Sequence, residues 1–478
     1  MMRSLYSGVS GLKVHQTKMD VIGNNISNVN TVGFKSSQVN FSDILYQTTS
    51  NASGPNANTG KAGINAKQIG LGSSVASIST TISVSGGSQR TDNALDVMIE
   101  GEQFFNVNNG VTNYFTKAGA FNVDANGILC NANGCKVMGW QVDTNDPTKT
   151  VADTVTELRV MAPETMYIEP EATTNVYVSG NIDYKDTQLT TDTGKTTTMS
   201  FYDNLGQSYM AIMKVKQSDE FYNVYNVTIT NILDSKGESI FVKKTEEDDG
   251  TITYSLSDTL NAFRFGDQEV SATVDEDGSV VIEMEGIPLT FDIATGKFVS
   301  IGGEEGAQSI PFEVVAEPSP FQEIDVDFSS MTMYASSGSS SFSCQRGAKE
   351  NGTGAGKPQG NMTGISVDNS GRIYGTYDNG DNKLLCQIAV ARFANAAGLE
   401  AIGNNMYAQT MNSGDFDGVG EDISASGGKM NTGVLEMSNV DLSTEFTQMI
   451  TTQRGFQANS RIITTSDTLL EELINLKR

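Results

Sequence analysis

Histidine is almost absent from this chain: His15 stands alone among 478 residues. A His-based catalytic triad and a multi-His metal site are therefore excluded, and His15, near the apolar stripe of the first stretch, reads as a helix-surface or packing residue. Tryptophan is as scarce. Trp140 is the single one, so the clustered aromatics of a glycan pocket are not on offer. The four cysteines fit no zinc set, because Cys130 and Cys135 have four residues between them while Cys344 and Cys386 are isolated. No apolar run is long enough for a membrane helix, and residues 1–4 lead into an amphipathic stretch rather than a secretory signal. Read on its physics alone, that start is cytosolic. Basic residues are few, with Lys+Arg 31 against Asp+Glu 57 and a formal net charge of -26. Nucleic acid, which asks for a basic surface, is not an expected partner.

What is present is organised from the two ends. Leu442, Met449, Phe456, Ile463 and Leu470 fall seven apart, with Phe446 and Ile474 beside them at helical spacing. Asp441 and Glu445 mark a helix start, and a rod roughly 50 Å long follows at about 1.5 Å per residue. Gly455 costs that helix only about 1 kcal/mol. Leu5, Leu12, Met19 and Ile26 repeat the same spacing at the other terminus. Ridges this narrow cannot build a globular core. They predict a coiled coil of the terminal helices, within one molecule or between copies. The first helix is also locally basic, with Arg3, Lys13, Lys18 and Lys35 against Asp20 in residues 1–35.

Between the ends, 478 residues are enough for two to four domains. The turn formers of residues 48–60 read as an extended linker. From Gly70 onward β-branched and aromatic alternation takes over, with hairpin signals at Asn126-Gly127 and Asn133-Gly134 and further turns at Asp249-Gly250 and Asp277-Gly278. Residues 352–357 (GTGAGK) imitate a phosphate loop but lack its first glycine and its Ser/Thr, since Asn351 and Pro358 stand there. They read as a flexible link. Residues 275–278 (DEDG) place their glycine too early for a calcium loop, and a hairpin turn is the better reading. Cys130 and Cys135 bracket a turn, so a disulfide across it and four reduced thiols both stay open.

Residues 24–35 (NNISNVNTVGFK), 438–442 (SNVDL), 453–460 (QRGFQANS) and 473–478 (LINLKR) together resemble the end signatures of the bacterial flagellar axial proteins: rod, hook and hook-associated. The chain most resembles the hook members. The resemblance implies an α+β, mainly β fold with nested discontinuous domains: a terminal helical domain (1–30 and 440–478), an extended linker region (31–70), an inner β-rich domain (71–145 and 345–435), and one or two outer β domains (146–344). It implies export without a cleaved signal and a site outside the cell. It also implies no enzyme activity, cofactor, metal or membrane insertion.

The implied partners are copies of the same chain, the distal rod protein, the hook cap, hook–filament junction proteins and the flagellar export apparatus. The stripe residues Leu5, Leu12, Met19, Ile26, Leu442, Met449, Phe456, Ile463 and Leu470 are the expected assembly interface. The rival readings are a distal rod protein, disfavoured by the long insert at 146–344, and an extracellular β-rich adhesin.

Overall fold

The computed structural model describes residues 2–55, 60, 62–143, 146–246, 252–275, 277–316 and 318–476. Strand dominates, with one long helix at each end. The chain forms two compact units, each discontinuous: Met1–Met166 with Thr363–Thr376 and Asn382–Arg478, and Tyr167–Met362 with Tyr377–Asp381.

In the first unit, helix α1 (Met2–Ser27) is followed by strands β1 (Ser37–Asp43), β2 (Tyr46–Ser50), β3 (Lys67–Gly70) and β4 (Ser73–Thr80). β1 pairs antiparallel with β4, from Ser37 opposite Thr80 to Asp43 opposite Ser73, and β2 pairs with β3. Residues 31–70 thus carry one strand of the first ladder and both strands of the second where the sequence suggested an extended linker. The reason is non-local. Val39 and Phe41 find Ile78 and Val75 across the first ladder, and the turn formers at 48–50 are drawn into β2 opposite β3.

The body of this unit is a sheet that runs Asn382–Ile388, Lys136–Gln141, Phe104–Asn108, Asn113–Thr116, Met406–Ala408 and Glu400–Gly403, all antiparallel. Strands from two distant parts of the chain interleave, so neither part has a core without the other. Edge-to-face rings lock them, with Phe115 and Phe393 centroids 4.7 Å apart. The turns at Gly127 and Gly134 both have φ of +77°, as Asn-Gly hairpins require. Trp140 stands in a strand; its Nε1 donates to Asp153 O at 3.0 Å and Val419 O at 2.9 Å. Thr156–Glu157 pairs with Lys136–Gln141, which draws residues 146–166 into this unit instead of the outer one. Helix α2 (Leu442–Asn475) closes the chain.

The second unit holds a seven-stranded and a five-stranded sheet. Phe201, Phe263, Phe312, Tyr225 and Phe291 belong to one buried cluster drawn from both, so among the described residues the two sheets share a core. Asn175–Asn181 and Ile324–Thr332 are parallel neighbours. Ser341–Arg346 pairs with Asn175–Asn181, and Tyr167–Ile168 pairs with Asn361 and Gly360, which keeps residues 345–362 in this unit. The Asp277-Gly278 turn joins two antiparallel strands, with Gly278 at φ +84°. The turn expected at Asp249-Gly250 lies outside the described residues.

The GTGAGK run is not a loose link. Gly352, Gly354 and Gly356 all have φ near +70° (69°, 73° and 66°), which curls the backbone onto residues 171–175. Gly354 O accepts from Thr174 N, Ala355 O accepts from Thr173 Oγ1, and Lys357 pairs with Asp381.

Candidate functional site

The expected seam forms within one chain. Gly8 faces Asn459 and Ile463, Gly11 faces Asn459, and His15 faces Gly455, so α1 and α2 run antiparallel. Leu5, Leu12, Met19, Ile26, Met449, Phe456, Ile463 and Leu470 are half-buried, while Leu442 is 39% exposed. The fully buried positions are different ones: Gly8, Gly11, Val14, Ile22 and Asn25 on α1, and Glu445, Thr452 and Ser466 on α2. One row of the seam is therefore large and apolar, and the buried row interleaved with it mixes small and polar residues with Val14 and Ile22.

The backbones approach closely. A Cβ on Gly11 would sit 2.7 Å from Asn459 Nδ2, and one on Gly455 would sit 2.7 Å from His15 Cε1. Three glycines inside helices, each costing about 1 kcal/mol against alanine, were the signal for this contact. Composition alone had made Gly455 look like a tolerated flaw.

His15 fills the Gly455 notch and meets Phe41 edge-on, centroids 5.8 Å apart. Its Nδ1 is buried with no hydrogen-bond partner. Burial first, and then the Lys18 charge, hold its pKa below the ordinary histidine value.

Beneath the helix pair lies a buried polar base built from the end signatures. Asn25 accepts from Ser37 N at 3.0 Å and donates to Ser37 O at 2.9 Å and Glu445 Oε1 at 3.1 Å. Asn439 accepts from Ser36 N at 2.7 Å and donates to Thr81 O and Val84 O. Lys35 Nζ meets Glu436 Oε1 at 2.7 Å, with side-chain exposures of 1% and 0%, and donates to Val84 O. Gly86 N donates to the same Glu436 oxygen. Gly33, at φ +69°, lies where a Cβ would be 2.8 Å from Ala118 N.

A second buried cation, Lys117, donates to Gly101 O at 2.8 Å and sits 4.8 Å from the Phe104 ring centre. Its pKa is pushed down to about 8, first by burial; Glu436 pulls it up and Lys35 pulls it down. Asp441 caps α2 by accepting from Ser443 N at 2.9 Å and Thr444 Oγ1 at 2.8 Å. These bonds lower its pKa.

Cys130 and Cys135 are free thiols, and the Cys135 sulfur lies 3.9 Å from Met406 Sδ. Burial pushes the thiols of Cys344 and Cys386 up to about 12. Among the described residues no three His, Cys, Asp or Glu side chains are grouped to hold a metal, and no helix is long and apolar enough to cross a membrane.

Four family models match in sequence order: the flagella basal body rod protein model at residues 5–35, the flagellar hook protein FlgE/F/G D1 domain at 98–181, the flagellar basal body protein FlaE D2 domain at 173–348, and the flagellar basal body rod FlgEFG protein C-terminal model at 431–476. The flagellar hook protein FlgE of Borreliella burgdorferi is 36% identical over 487 aligned residues, covering 100% of both chains. The FlgE of Treponema pallidum is 34% identical over 491, again covering 100% of both. The chain belongs to the flagellar hook protein family. Its relatives are structural subunits of the extracellular hook and basal body. A crystal structure of Helicobacter pylori flagellar hook protein FlgE2 aligns at 12% identity with a TM-score of 0.35, covering 73% of this chain and 100% of that one. The two end models span both Lys35 and Glu436, so the buried base is made from family-matched segments.

Proposed function

We propose that this hook-family chain polymerises with copies of itself into a flexible hollow tube outside the cell, which joins the rod to the filament and transmits torque as a universal joint. The observation that carries the reading is full-length likeness to hook-named relatives, at 36% and 34% identity. The terminal helices serve as a stiff inner wall, and the β units shift against neighbours as the tube bends. The role is mechanical and not catalytic. The distal rod protein meets one end of the tube, the hook cap and hook–filament junction proteins meet the other, and the export apparatus delivers the subunits.

The rod reading keeps one point in its favour: the flagellar basal-body rod protein FlgG of Bacillus subtilis is 28% identical over 478 residues. The two hook-named relatives are nearer. Electron microscopy of purified protein after self-assembly tests the choice. Curved hollow tubes are expected. Straight rods favour the rod reading, and protein that stays monomeric overturns both.

A further inference from the structure

α2 outlasts its partner helix. α1 extends only from Gly8 back to Met2, roughly 9 Å, whereas α2 continues from Ile463 to Asn475, roughly 18 Å. Ile474 lies eleven residues after Ile463, about three turns, so it continues the side of α2 that meets α1. It is nonetheless 68% exposed, and Leu473 beside it is 48% exposed. At the opposite end of α2 a second apolar row, Leu442, Phe446 and Ile450, is also exposed. Phe446 and Leu473 are 27 residues apart on one helix, roughly seven and a half turns, which puts them on opposite sides.

We infer that the last two turns of α2 in one copy dock on the Leu442–Phe446–Ile450 row of a second copy. The contact rests on the self-assembly reading above and gives it an axial component. The occupant follows from continuity. The seam that α1 covers over most of α2 runs on past the end of α1 and demands another helix. Two different patches at opposite ends and on opposite sides cannot pair with themselves about a two-fold axis. Joined head to tail they leave one of each free, so the contact adds copies in an open file instead of closing a dimer.

The test is a chain carrying Phe446→Cys and Leu473→Cys together, polymerised, mildly oxidised, dissolved and run on a non-reducing gel. A ladder of covalent dimers, trimers and longer species is expected. The parent, with its four native cysteines, and each single variant give none. A copolymer of the two single variants gives dimers and nothing longer, and this holds as a second reading if the double variant assembles poorly. Parent protein that polymerises while neither sample cross-links overturns the contact and leaves the self-assembly reading intact. Parent protein that never polymerises overturns both.

Discussion

Replacing Lys35 with methionine isolates the energy held in the base of the helix pair. Lys35 Nζ and Glu436 Oε1 are 2.7 Å apart with both side chains essentially without water. Removing the cation leaves the Glu436 carboxylate with only the Gly86 N–H on Oε1 and nothing on Oε2. Breaking a buried pair in this way costs about 3–5 kcal/mol, while removing both charges costs much less. Trp140 is the chain's single tryptophan and is buried in the unit that contains the pair, so its fluorescence follows that unit. With a urea slope of about 1–3 kcal/mol per molar, Lys35→Met should lower the Trp140 midpoint on the order of 1–5 M. The double change Lys35→Met with Glu436→Leu should recover much of that loss. Lys117 gives an independent reading. Lys35 now pushes its pKa down, so in Lys35→Met that pKa should rise above its present value of about 8. A Lys35→Met unfolding free energy within about 1 kcal/mol of the parent would refute the argument, as would a double variant that loses the sum of the two single costs.

The seam makes three further predictions. Gly455→Ala gains about 1 kcal/mol of helix propensity but drives a methyl into His15, 2.7 Å away, so the ends should become more protease-sensitive; Gly23→Ala, with nothing within 4 Å, should protect them. Equal protection in both variants would dismiss the close approach. The His15 pKa is lowered in the paired state, so pairing favours the neutral ring; the stability this contributes is full above pH 6.5 and declines as pH falls below it. Far-UV helicity between pH 8 and pH 5 should fall on the acid side in the parent and stay flatter in His15→Gln, and identical curves would remove His15 from the account. Ile463→Asp sets a carboxylate against α1 at Gly8 and should abolish polymer while leaving the Trp140 melt nearly unchanged, whereas exposed Thr465→Asp should be tolerated. Normal polymer yield from Ile463→Asp would remove the helix pair from the assembly.

What the sequence disclosed was local and periodic. The seven-residue spacing marked both helices, Asp441 marked the start of α2, and Asn126-Gly127 and Asn133-Gly134 marked their turns, because each signal lies within a few residues of its effect. The losses were all non-local. Ser37 pairs with Thr80 and Thr156 with Gly139, and nothing near residue 40 or 156 announces its partner. The same holds for the GTGAGK run, where the glycine count argued for freedom and the carbonyls turn out to be spent on residues 173–175. At the base, Glu436 lay outside the end signatures, and Asn25, Lys35 and Asn439 were visible as part of them. Their role was not, since a polar residue reads as exposed until its partners from the other end of the chain are placed beside it.

The composition of the seam bears on the proposed assembly. A zipper of large side chains on both rows would make the pair self-sufficient and leave little reason for a neighbour. Here Gly8, Gly11 and Gly455 bring the backbones together, while Glu445, Thr452 and Ser466 occupy positions that a two-helix coil would fill with leucine or isoleucine. Further large apolar side chains stand outside the seam, at Phe446, Ile450, Ile462, Leu469 and Leu473. Helical stability in the single chain is then conditional on the base that holds both helices at one end and on whatever covers that outer face. The base supplies direction through buried hydrogen bonds and a buried ion pair, which specify geometry more than they add stability. A subunit built this way keeps its helices aligned by the base while Phe446, Ile450, Ile462, Leu469 and Leu473 stay exposed in the single chain, the arrangement that the proposed assembly calls for.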